Sequence, residues 1–68
     1  MDFDPPTEET LARLIRRHLL ELAPDRASDQ EVADRVVRTK AQATAAIASG
    51  VPPQLAWDFA AVQIAFAP

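Results

Sequence analysis

Apolar positions along this chain recur at spacings of three and four, never in strict alternation, over three stretches separated by prolines and a glycine. That periodicity predicts helices and no strands. In the first stretch Leu11, Leu14, Ile15, His18, Leu19 and Leu22 share one broad face, with Arg13, Arg16 and Arg17 opposite. Thr7 suits the N-cap, and Glu8 and Glu9 suit the positive end of the helix dipole. Pro24 closes the stretch, because a residue before proline avoids helical backbone. The spacing predicts a helix over 7–23.

The second stretch opens on "SDQE", a capping box in which Ser28 caps and Glu31 reaches back. Its inner arc collects Val32, Ala33, Val36, Val37, Ala43, Thr44, Ile47 and Ala48, and its outer arc Glu31, Asp34, Arg35, Arg38 and Gln42. Small residues in its second half allow a neighbouring helix to approach closely. Gly50 suits the left-handed residue after the helix, and Pro52 and Pro53 prevent continuation. A helix over 29–49 follows.

The third stretch, over 53–66, is apolar on nearly every side. Leu55, Phe59, Val62 and Phe66 make one stripe, and Trp57, Ala60, Ala61 and Ile64 a second on the opposite side. Such a helix is buried on several sides or sits in a membrane. A span needs about 20 apolar residues, and this stretch holds Asp58, two glutamines and flanking prolines. It has no Lys or Arg to support an interfacial membrane helix. Protein is the remaining cover. Two short helices can shield one stripe but not both, so the first stripe is expected to face inward. Trp57, Ala60, Ala61 and Ile64, with Phe66 at the helix end, are the expected contact face.

Length strengthens that expectation. Sixty-eight residues make a single domain near the lower limit for independent folding, with a short extended or flexible head at 1–6. Cores this small usually need disulfides, a metal or oligomerisation. With no cysteine and His18 the only histidine, neither a disulfide framework nor a Cys/His zinc site can form. A second copy covering the same patch gives a two-fold dimer. The 49% hydrophobic content is too high for an intrinsically disordered chain.

Charge and motifs narrow the function classes. A net charge of −3 disfavours a duplex-binding module, which depends on clustered cations. "QATAAIASGVPPQLAWDF" fits part of a helix-turn-helix template, but the would-be recognition helix begins Pro52, Pro53, Gln54, Leu55, with no cation. Arg13, Arg16 and Arg17 are candidates to touch an anion, although acidic neighbours make a solvated face the simpler expectation. Lys40 and Asp58 each intrude on an apolar setting and are a candidate ion pair. His18 has no second His, Cys or Tyr beside which to act as ligand or base, and is expected to be structural. At an oligomer contact it would weaken assembly near pH 6. No glycine-rich phosphate loop can be built from one glycine. The acidic start "MDFDPPTEET" does not read as a signal peptide, and the cytoplasm is the expected compartment.

The sequence therefore predicts an all-α, three-helix domain: a helical hairpin plus an apolar C-terminal helix, dimeric, non-enzymatic and without a cofactor. The leading function is a protein–protein interaction module, namely a small adaptor, inhibitor or regulatory subunit, with a homo-oligomer or a second protein as partner. The alternatives are a dimeric DNA-binding regulator or antitoxin-like protein with a degenerate helix-turn-helix, and an acidic phage or plasmid-type inhibitor. The last draws on Asp2, Asp4, Glu8 and Glu9.

Overall fold

A computed structural model describes residues 3–68. Met1 and Asp2, from the expected head and acidic cluster, lie outside the described residues. Residues 3–7 carry no regular structure and lead into α1, Glu8–Leu22. A 3₁₀ turn, Pro24–Arg26, joins it to α2, Asp29–Ala48. The third helix, α3, is Pro53–Ala60, and a π-helical turn at Ala61–Ala65 continues it. No strand occurs among the described residues.

The ends of the helices are fixed by local chemistry. Thr7 Oγ1 accepts from the Thr10 amide at 3.1 Å, and Ser28 Oγ from the Glu31 amide at 3.1 Å, so both predicted caps form. The reciprocal half of the capping box does not. The Glu31 carboxylate turns forward to Arg35 instead, with Oε2 2.9 Å from Nε. At the far end of α2, the Val51 amide donates to Ala46 O and the Gly50 amide to Ile47 O, both at 3.0 Å. With Gly50 at φ 101°, this is a Schellman closure.

The first two helices form an antiparallel pair, shown by ion pairs at both ends: Glu8 with Lys40 and Arg16 with Asp29. Leu11, Ile15 and Leu19 of α1 meet Val32 and Val36 of α2 and Ala65 of the π turn in one buried cluster. Trp57, Ala61 and Phe66 pack against that cluster from α3 and its continuation. Two other expected members of the α1 face, Leu14 and Leu22, remain exposed.

The buried face of α2 is turned from the expected arc. Val32, Arg35, Val36, Thr39 and Ala43 are buried, whereas Ala33, Val37 and Thr44 are exposed. The cause is tertiary: α2 is flanked by α1 and α3, so its covered side includes Arg35, which contacts the end of α3. The outer-arc placement of Arg35 is thereby corrected.

Candidate interaction surface

Helix α3 is apolar on two sides, and the fold has to choose between them. Its choice reverses the one expected from sequence. Ala56 and Ala60 are buried, Trp57 and Ile64 are half-buried, and all four belong to the side packed on the chain's own core. Leu55, Phe59 and Val62 are 60%, 61% and 72% exposed. Of the expected contact residues, Ala60 has no exposed surface, and Trp57, Ala61 and Phe66 are engaged within the chain. Small side chains explain the reversal. Buried alanines stand on both helices, Ala43 on α2 and Ala56 and Ala60 on α3. Close approach is open only to the small-residue side.

Phe66 leaves its expected stripe for a different reason. An α-helical continuation would hold it in line with Leu55, Phe59 and Val62. The π turn is wider, and the Phe66 amide donates to Ala61 O at 2.8 Å, five residues back. Phe66 is thus half-buried, edge-on to His18 with ring centroids 5.6 Å apart.

The π turn and the chain after it leave carbonyl groups in need of donors. Pro68 has no amide hydrogen to offer Ile64 O, which accepts only a long bond of 3.4 Å from the Ala67 amide. Arg35 serves instead. The two N–H groups of its Nη1 are shared among Ala67 O at 2.7 Å, Ile64 O at 3.1 Å and Ala65 O at 3.3 Å, while Nε pairs with Glu31. The side chain of Arg35 is only 4% exposed. His18 Nε2 lies 3.3 Å from Ala67 O. A carbonyl only accepts, so the bond requires the Nε2-protonated tautomer. His18 thus has a structural place against the C-terminal turn. Nothing in the sequence marks Arg35 as buried, because its spacing from Asp34, Arg38 and Gln42 matches a solvated face.

The other candidates are placed as follows. Lys40 Nζ pairs with Glu8 Oε1 at 2.5 Å rather than with Asp58 in the same chain; Lys40 sits at the flank of α2 that faces the start of α1. The hydrogen bond from Lys40 holds the Glu8 carboxyl below its ordinary range, and the charge of Lys40 adds to this. Arg35 does the same for Glu31, again chiefly through the hydrogen bond. Arg16 pairs with Asp29 at 2.5 Å and Arg17 with Glu21 at 3.6 Å. Arg13 is exposed and has no ion pair among the described residues.

The exposed stripe borders a hollow of about 490 Å³ between α2 and α3, lined by Gln42, Ala46, Val51, Leu55, Ala56 and Phe59. The C-terminal closure of α2 shapes it, since Ala46 and Val51 are the two ends of one Schellman hydrogen bond. A small-molecule site of that size carries several converging polar groups. Here Gln42 is the one polar lining residue, and its Nε2 donates to Gln63 Oε1 at 2.8 Å. A second hollow is lined only by residues between Ser28 and Val37 of one helix and its cap, so it is a surface concavity rather than a cleft between elements. Among the described residues, no cluster of three His, Cys, Asp or Glu residues could hold a metal ion, and no helix is long and apolar enough to cross a membrane. Comparisons with protein-family models, curated proteins and solved structures each found no match to this chain.

Proposed function

We propose that the chain is a non-enzymatic protein–protein interaction module that pairs with a second copy of itself through the outer side of α3. The observation that carries this is the exposure of Leu55, Phe59 and Val62 beside an apolar hollow. An isologous contact needs a self-complementary surface. This one has projecting side chains in Phe59 and Val62 and a depression floored by Ala46 and Ala56.

Area bears on the strength of that contact. With Ile47 and Val51, each 37% exposed, the stripe amounts to roughly 500 Å², the size of the largest apolar patch on ordinary monomers. Two copies face to face would bury about 1,000 Å², at the lower edge of specific interfaces. The contact is therefore a reversible one. A recognition helix would display base-reading and phosphate-binding groups on this side. The outer side of α3 carries Leu55, Asp58, Phe59 and Val62 and no cation, which favours protein over nucleic acid.

Sedimentation of the full chain from about 10 μM to about 1 mM tests the proposal. The mass should rise with concentration toward a dimer, and Phe59→Asp should hold it at the monomer while leaving helicity unchanged. A wild-type chain that stays monomeric throughout overturns it.

A further inference from the structure

We propose that Arg35 is a positioning residue that sets which apolar side of α3 is offered to a partner. This rests on the outer side of α3 being a contact face. Buried Ala56 and Ala60 favour one inner side of the helix, and directional bonds hold it there. Its inner side presents buried alanines, Ala56 and Ala60 on α3 and Ala65 on the π turn, beside the half-buried Trp57. Small side chains permit close approach of the backbones.

Directional contacts are few. The Gln42–Gln63 bond acts from the flank, and His18 acts on Ala67. Arg35 alone makes three bonds to the chain at Ile64, Ala65 and Ala67, from a side chain nearly sealed from water. Its acceptors are main-chain carbonyls at the helix end, of which Ile64 O has otherwise only a 3.4 Å bond from the Ala67 amide, so it recognises the shape of the helix end rather than particular side chains. Were α3 to turn its other side inward, the buried guanidinium would keep Glu31 and lose all three carbonyls. Burial makes that loss costly. The clamp therefore keeps Trp57 in and Phe59 out.

Trp57 is the only tryptophan and sits against the core, so its fluorescence reads the rotation of α3 directly. Arg35→Met in the full chain should keep the helical signal of α1 and α2. It should shift Trp57 emission to the red and raise its quenching by acrylamide. Association of Arg35→Met should no longer be abolished by Phe59→Asp. Arg35→Lys retains the charge but lacks the planar fork, and should fall between wild type and Arg35→Met. If Arg35→Met does not fold, Arg35→Lys and Glu31→Gln decide in the same readouts, the latter with the smallest shift.

Unchanged Trp57 emission and quenching in a folded Arg35 variant would overturn the proposal. So would loss of Trp57 burial only in step with the whole helical signal, since Arg35 would then hold up the core rather than orient α3. A wild-type chain that never associates removes the contact-face reading but leaves the Trp57 test of the clamp intact.

Discussion

Gly50 and Thr39 show two ways in which one residue carries consequences beyond its neighbours. At Gly50 no atom lies within 4 Å of where a Cβ would stand, so the requirement for glycine is one of backbone conformation. Placing an L side chain at φ 101° strains the chain by about 1–2 kcal/mol. Gly50→Ala should lower the stability measured by urea unfolding by that amount without altering the hollow beside it. Thr39 presents the opposite case. It is fully buried, and its Oγ1 has no hydrogen-bond partner among the described residues. Burying a hydroxyl unpaired is unfavourable, so Thr39→Val, of similar shape, should raise stability by about 1 kcal/mol. Gly50 is legible because glycine after a helix has one common use, whereas Thr39 is not, since threonine is as ordinary on a helix surface as inside.

At the scale of elements, charged contacts link the helices pairwise: Glu8–Lys40 and Arg16–Asp29 join α1 to α2, and Arg35 joins α2 to the end of α3. Arg35→Met removes the charged donor from three carbonyls and should cost about 2–3 kcal/mol by chemical unfolding. The carboxylates give a pH dependence with a definite sign. Glu8 and Glu31 are both held below their ordinary value of 4.5 by their cationic partners. Their stabilisation is fully present above that value and is lost as pH falls through the lower folded-state values. Stability followed from pH 7 downward should stay level to about pH 5 and then drop. The Glu8→Gln/Glu31→Gln double variant should start lower and drop less. The helices themselves were legible, with each predicted boundary for α1 and α2 within one residue of the observed one. The π turn was not, because apolar spacing does not distinguish it from a continued α-helix, and the carbonyls at its end meet an arginine some thirty residues away.

The whole molecule is more open than a compact globule, in part because residues 3–7 carry no regular structure. It exposes 4735 Å², whereas a compact monomer of 7.4 kDa exposes about 4,200 Å² by the usual scaling. Its Cα radius of gyration is 12.0 Å, against about 11 Å for a globule of this length. Large side chains fully withdrawn from solvent are few: Ile15, Leu19 and Thr39. A core this thin profits from association. Apparent thermal stability should therefore rise with protein concentration for the wild type, and Phe59→Asp should remove that dependence. Differential scanning calorimetry across concentrations checks it. Trp57→Asp should act differently, by unfolding the chain at every concentration, because Trp57 packs against the core.

By itself the sequence determined where α1 and α2 start and stop, where α3 starts, and that the last helix carries apolar residues on two sides. Caps, prolines and a left-handed glycine act through bonds among residues near in the chain, so their effects are local and readable. Which way α2 and α3 are turned was left to the tertiary structure. Helix α3 has two apolar sides and no polar one to orient it, so periodicity cannot distinguish inside from outside. Close packing of alanines and the reach of Arg35 to the last carbonyls make that distinction, and both exist only once distant segments have met.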